Sequence, residues 1–166
     1  MKEHYIHAYV GNGKGKTTAA AGLALRAIGA GMNVAFISLL KNGSSELKPL
    51  KNEGAEVVEI KTEKFSWNMT EEEKEELKNR MKKELCNFNF GKYDLIVFDE
   101  ILGAYEEGFI RKELLLKLMS LRAEIILTGR KLPCEIAENC DYITEMSEIK
   151  HPFKEYGQKA RRGIEY

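Results

Sequence analysis

The run Gly11-Asn12-Gly13-Lys14-Gly15-Lys16-Thr17-Thr18 constrains this chain more than any other stretch. Ahead of it, Tyr5-Ile6-His7-Ala8-Tyr9-Val10 is β-branched and aromatic, the composition of a short buried strand. Behind it, the residues from Ala19 to Ile28 are strong helix formers with no proline among them. A strand, a glycine loop ending in Gly-Lys-Thr and a helix together make the context of a phosphate-binding loop, or P-loop. Glycines let backbone N–H groups turn in around phosphate oxygens, and the helix N-terminus adds its partial positive charge. Lys16 supplies a mobile full charge, and the Thr17 hydroxyl can ligate a phosphate-bound Mg²⁺. The loop is one residue tighter than the usual spacing. Val10 stands where the first glycine is ordinarily found, Gly11 follows it, and Lys14 adds a second lysine inside the loop. A turn that only joined strand to helix would not require Gly-Lys-Thr-Thr at the helix start.

A second chemical signal lies in Tyr93-Asp94-Leu95-Ile96-Val97-Phe98-Asp99-Glu100, a buried strand that turns abruptly acidic. An acidic pair at such a strand end is the Walker B arrangement, where Asp99 or Glu100 can hold the Mg²⁺ that bridges nucleotide phosphates. Acidic strand ends are common by themselves; coupled to the P-loop, this one points to a Mg²⁺-nucleotide site. The guanine-reading Asn-Lys-x-Asp pattern is absent from the sequence, which favours ATP.

Strand and helix patterns alternate through the chain. Asn33 to Leu40 reads as a second buried strand, Lys41 to Ser45 as a loop, and Glu46 to Glu53 as at best a short helix interrupted by Pro49. Glu56 to Ile60 is a third strand, and Lys61 to Asn68 a loop holding Phe65 and the single tryptophan, Trp67. Thr70 with Glu73 forms a capping box opening a helix to about Asn87, with Leu77, Met81, Leu85 and Phe88 on its inner face. Its acidic start, and Lys82 and Lys83 toward its end, suit the helix dipole. Leu114 to Leu121 is an apolar helix segment, Glu124 to Thr128 a further strand, Pro133 to Asn139 a short helix, and Asp141 to Met146 a last strand before a polar tail. The expectation is an α/β fold with a mostly parallel sheet, helices on both faces and a ligand site beyond the carboxyl strand ends.

With 166 residues the chain fits one domain, spanning 1–166. Lys plus Arg and Asp plus Glu are equal at 26 each, so no overall basic field favours nucleic acid or an anionic membrane. No apolar run approaches membrane-spanning length and the start has no signal-peptide core. Three cysteines without a Cys-x-x-Cys pair fit a reducing cytoplasm and argue against zinc. His4 and His7, three apart on a strand, face opposite ways and are not expected to share a metal.

The loop Gly11 to Ala20, Phe65-Ser66-Trp67, Val97 to Glu100, Leu127-Thr128-Gly129-Arg130 and the ending together resemble the P-loop ATP:cob(I)alamin adenosyltransferases. That ending comprises Thr144-Glu145-Met146, Lys150-His151-Pro152-Phe153, Gly157, Ala160 and the terminal Gly163-Ile164-Glu165-Tyr166. The blocks fall in the family's order and span nearly the whole chain; the tightened loop is a family trait. The resemblance implies a RecA-like fold and a cytoplasmic enzyme, usually a homodimer, that needs Mg²⁺. In that family a reduced corrinoid, cob(I)alamin or a precursor, attacks the 5′ carbon of ATP and inorganic triphosphate leaves. It also implies an electron donor such as a flavodoxin, catalytic roles for Lys14, Lys16 and Glu100, and ATP contacts along Gly11 to Thr18. Glu100 is the acidic residue it favours at the metal.

Phe65 and Trp67 at i, i+2 spacing would by themselves be ordinary packing on one side of an extended segment; the resemblance assigns them to the corrinoid. Relatives often carry an amino-terminal arm that helps cover the corrinoid, whereas here the first strand opens within a few residues of Met1. Ser38, Leu39 and Asn42 also stand where relatives commonly have Gln, Phe and Gly. The nearest alternative is a RecA-type ATPase with Glu100 activating water. A nucleotide switch would need switch segments or a partner signature that this sequence lacks. A deviant Walker ATPase would place its extra lysine earlier in the loop.

Overall fold

The computed structural model of the chain describes residues 3–41, 43–64 and 66–165; Asn42 and Phe65 lie outside the described residues. Strands β1 (Ile6–Val10), β2 (Val34–Leu39), β3 (Glu56–Ile60), β4 (Leu95–Asp99), β5 (Glu124–Thr128) and β6 (Tyr142–Glu145) form one sheet in the order β3-β2-β4-β5-β1-β6. Every pairing is parallel. All strand carboxyl ends therefore lie along one edge of the sheet. Because β5 sits between β1 and β4, the P-loop and the acidic pair leave the sheet two strands apart.

Central strands buried on both faces read as unbroken apolar runs, and the pleat sends alternate side chains to opposite cores. Val34, Phe36, Leu95, Val97 and Ile126 face one core; Ala35, Ile37, Leu39, Ile96, Phe98, Ile125 and Leu127 face the other. Helix α1 (Lys16–Gly29) lays Ala20, Ala21, Ala24 and Ala27 on the first, where small side chains let it approach the strands closely. α2 (Leu47–Asn52) adds Leu47 and Leu50 there. The other face is covered by α3 (Glu71–Asn87), α4 (Ile101–Glu106), α5 (Lys112–Met119) and α6 (Cys134–Ala137). The short α7 (Pro152–Tyr156) belongs to the carboxyl-terminal segment. The α/β fold expected from the sequence is present, and its sheet is entirely parallel.

The capping box of α3 forms as its spacing predicts: Glu73 N–H donates to Thr70 Oγ1 at 3.2 Å and Thr70 N–H to Glu73 Oε2 at 2.9 Å. Leu77, Met81 and Leu85 are buried on its inner face. Three expectations change. Pro49 does not interrupt α2, because it falls in the first turn, where a proline's missing N–H has no intrahelical partner to lose. The last turn of α3 holds no basic residue, so Lys82 and Lys83 stop short of the helix end. α4 forms directly after the acidic pair, where no separate helix is expected; Ile101, Leu102 and Ala104 bury it against the sheet. Among the described residues no helix is long and apolar enough to cross a membrane.

Candidate active site

The P-loop runs from the end of β1 into α1. Gly15, with φ 113°, makes the turn a side chain would oppose, and α1 starts after it with no side-chain cap on its first N–H groups. Two loop amides are already engaged by the protein: Gly11 N–H donates to Arg130 O at 2.9 Å and Gly13 N–H to Met146 O at 2.6 Å. Gly13 is small for a local reason. A Cβ there would lie 2.5 Å from Met146 O and 2.9 Å from the carbonyl carbon of Ser147, both backbone atoms. Lys16 Nζ donates to Gly13 O at 2.8 Å. Burial draws the Lys16 ammonium below its ordinary range, and the carboxylate of Glu100 opposes that shift.

The acidic pair divides between two environments. Asp99, the last residue of β4, is 0% exposed, and its Oδ1 accepts from Thr17 Oγ1 at 2.8 Å and from Thr128 Oγ1 at 2.7 Å. Thr128, at the end of β5, also accepts the Glu100 N–H at 2.8 Å. Glu100 itself has φ 62° and is half-buried at the mouth of the site. Lys41, just beyond β2, completes the cluster. Its ammonium donates to Thr17 Oγ1 and to Asp99 Oδ2, the latter at 2.8 Å, and stands 3.4 Å from Glu100 Oε1. Burial pulls the Lys41 ammonium down, but Asp99 and Glu100 outweigh it and hold the group above its ordinary value.

These groups open on one cavity of about 1050 Å³, lined by Gly13 to Thr18, Leu40, Lys41, Glu100 and Arg130. Gly11 and Asn12 do not line it. Thr62, Glu63 and Lys64 do, so the loop leading to Trp67 borders the cavity; Trp67 itself is 73% exposed. The carboxyl-terminal segment closes another side through Ala160, Gly163, Ile164 and Glu165. Lys14 Nζ donates to Glu165 Oε1 at 3.2 Å. Arg161 pairs with Glu165 at 3.0 Å. The Arg161 side chain and N–H, with Lys14, hold the Glu165 carboxyl down at about 2. His151 accepts the Phe153 N–H at the start of α7, a structural cap. His7 is engaged by Glu124 Oε1 at 2.6 Å and stacks on Tyr142.

Of the residues singled out in the sequence, Gly13, Lys14, Gly15, Lys16, Thr17, Thr18 and Glu100 meet at this cavity, with Asp99 immediately behind Thr17. Phe65 lies outside the described residues. Lys41 and Thr128 carry no assigned role in the sequence. Their only local sign is position, each at the carboxyl end of a buried strand.

The donor set suits Mg²⁺: a hydroxyl and two carboxylates are hard oxygen ligands, and a cation, the Lys41 ammonium, already sits among them. Among the described residues no three His, Cys, Asp or Glu side chains form a closed cage. A Mg²⁺ held by phosphates and waters needs only one or two protein oxygens.

The six-stranded parallel sheet with helices on both faces makes this an α/β protein, and its sheet order, loop and strand-end carboxylates are consistent with a P-loop NTPase-like fold. The chain belongs to the ATP:corrinoid adenosyltransferase BtuR/CobO/CobP family, whose model matches residues 2–166. It is 31% identical over 173 residues to the corrinoid adenosyltransferase of Escherichia coli (strain K12), covering 97% of this chain and 85% of that one. It is 30% identical over 175 residues to corrinoid adenosyltransferase CobA of Salmonella typhimurium, with coverage of 97% and 85%. The Pseudomonas aeruginosa corrinoid adenosyltransferase is 30% identical over 164 residues, with coverage of 94% and 80%. The chain is accordingly a transferase that moves the adenosyl group of ATP to a corrinoid.

Proposed function

We propose that the cavity at the carboxyl ends of β1, β2, β4 and β5 binds Mg²⁺-ATP and presents its 5′ carbon to a reduced corrinoid, cob(I)alamin or a precursor. The observation that carries this reading is the convergence of Lys16, the α1 N-terminus, Thr17 and Glu100 on one cavity of about 1050 Å³, with Asp99 bonded to Thr17 immediately behind. The cobalt(I) electron pair forms the Co–C bond as the C5′–O bond breaks, and triphosphate departs with that bonding pair. No proton moves in this step, so no general base is needed. The protein's tasks are to orient the 5′ carbon and to meet the growing charge of the leaving group.

Lys16, bonded to Gly13 O, is positioned to turn its ammonium to phosphate oxygens, and Lys14 can do the same on leaving Glu165. The amides at the start of α1 add a fixed partial charge. Thr17 with Asp99 or Glu100 would hold Mg²⁺, which supplies further neutralisation of the triphosphate. Thr128 keeps the Asp99 carboxylate and the Glu100 backbone in register beside it.

Phe65 and Trp67 are assigned to the corrinoid. Support comes from the exposure of Trp67 at the end of a loop that lines the cavity. Homodimerisation is supported by β6, an edge strand that exposes Tyr142 and Ile143, continued by exposed Ile149, Phe153 and Tyr156. Residues 1–166 are taken as one nucleotide-binding unit, since a single sheet draws strands from residues 6 to 145. A cytoplasmic setting and a flavodoxin-type electron donor complete the proposal.

Incubation with ATP, Mg²⁺ and chemically reduced cob(I)alamin tests it: the adenosylcobalamin spectrum should appear together with inorganic triphosphate. Corrinoid-independent release of ADP and phosphate would instead identify an ATPase in which Glu100 activates water.

A further inference from the structure

We propose that Lys41 is an exchangeable counter-charge: its ammonium holds the Thr17, Asp99 and Glu100 oxygens together and gives them up to a divalent cation only as the nucleotide arrives. The proposal rests on the reading of those oxygens as the Mg²⁺ site.

The geometry matches an ammonium to this cradle. Three N–H donors meet three residues: Thr17 Oγ1, Asp99 Oδ2 at 2.8 Å and Glu100 Oε1 at 3.4 Å. They are the residues that would ligate Mg²⁺. A Mg²⁺ ion takes its oxygens at about 2.0–2.1 Å, so an ammonium in hydrogen-bond contact with the same atoms leaves it no place. Two cations a few ångströms apart also repel strongly at a partly buried site. Binding of one therefore displaces the other.

The backbone is shaped for this arrangement. Among the described residues only Leu40 (φ 58°) and Glu100 (φ 62°) are non-glycine residues with positive φ. They follow the neighbouring strands β2 and β4, paired through Ser38 and Asp99. A left-handed residue with a side chain is strained and persists where its surroundings over-determine it. Here the two turns bring Lys41 and Glu100 together beside Thr17.

Charge accounting gives the exchange its direction. Asp99 and Glu100 with Lys41 leave one net negative charge; a divalent cation in place of Lys41 leaves none. The displaced ammonium, on a flexible stem, already lines the cavity that holds Lys16 and Arg130. Triphosphate gives it a new anionic partner. Without nucleotide it has none comparable, so a bare divalent cation must displace Lys41 uncompensated. Lys41 thereby couples metal binding to nucleotide binding.

Mn²⁺ titration followed by electron paramagnetic resonance, with and without ATP and in the absence of corrinoid, tests this. Lys41→Gln and Lys41→Met should each bind bare Mn²⁺ about tenfold or more tighter than the unaltered protein, and the gain in Mn²⁺ affinity caused by ATP should shrink. A gain in whichever variant is folded by circular dichroism supports the exchange; bare Mn²⁺ affinity that is unchanged or weaker overturns it. Thr17→Val and Glu100→Gln separate the two ideas. If neither weakens Mn²⁺ binding in the presence of ATP, the metal-site reading itself falls. If they weaken it while the Lys41 variants show no gain, only the exchange falls.

Discussion

Thr128 and Asp99 are joined by a 2.7 Å hydrogen bond between the ends of adjacent parallel strands, and the same threonine oxygen accepts the Glu100 N–H. One hydroxyl thus fixes both halves of the acidic pair. Asp99 is the structural half, buried and bonded to Thr17, Thr128 and Lys41; Glu100 is the half that faces the cavity.

Thr128→Val keeps the shape but removes a donor to a buried carboxylate and an acceptor for a backbone amide. The expected loss is about 1–3 kcal/mol in urea unfolding, with a higher Mg²⁺ requirement for turnover. Thr128→Ser should restore most of both. The same logic separates the acids: Asp99→Ala should destabilise the protein markedly, because Lys41 loses its closest carboxylate, whereas Glu100→Ala should act mainly on the Mg²⁺ titration.

Lys16→Ala should leave the fold intact and reduce kcat by about a hundredfold or more, since in the proposed reaction its charge serves the leaving triphosphate more than ground-state ATP. The pH profile offers a second check. Burial lowers the Lys16 pKa in the free enzyme, so the charge is lost as pH rises through a value below the usual lysine range. The basic limb of kcat/KM should fall there. In Lys16→Arg, whose guanidinium stays charged, the residual activity should persist to higher pH.

Gly13 and Gly22 should respond oppositely to alanine. At Gly13 the new Cβ meets the backbone of Met146 and Ser147, and a loss of about 1–3 kcal/mol is expected together with weaker ATP binding. At Gly22, inside α1, nothing lies within 4 Å of a Cβ, and a gain of about 0.5–1 kcal/mol is expected. Chemical unfolding of the two variants measures both.

Corrinoid binding should quench the emission of Trp67, the single tryptophan, whose side chain is exposed beside the cavity-lining loop. Phe65→Ala and Trp67→Ala should leave ATP affinity nearly unchanged and slow turnover most when cob(II)alamin is supplied with a weak reductant. Prereduced cob(I)alamin should recover much of the rate. Unquenched emission together with normal cobalt reduction in both variants would remove the aromatic pair from the corrinoid site.

Chemistry written in consecutive residues is legible from the amino-acid order alone. The strand–loop–helix around Gly11 to Thr18, the apolar-to-acidic switch at Asp99-Glu100 and the Thr70–Glu73 capping box depend on neighbours in the chain, and periodicity reports such neighbours directly. Family membership is legible for the same reason, as an ordered set of local blocks. The site's assembly is not. Lys41 reaches Asp99 across 58 residues, Thr17 reaches Asp99 across 82, and Thr128 meets Asp99 across 29. Each contact exists only because β5 lies between β1 and β4 while β2 lies on the other side of β4. That strand order follows from how helices cover the two faces of the sheet, a balance of burial over the whole chain that no local pattern encodes. Tertiary structure alone therefore places a loop lysine among the Thr17, Asp99 and Glu100 oxygens and closes Gly13 against Met146.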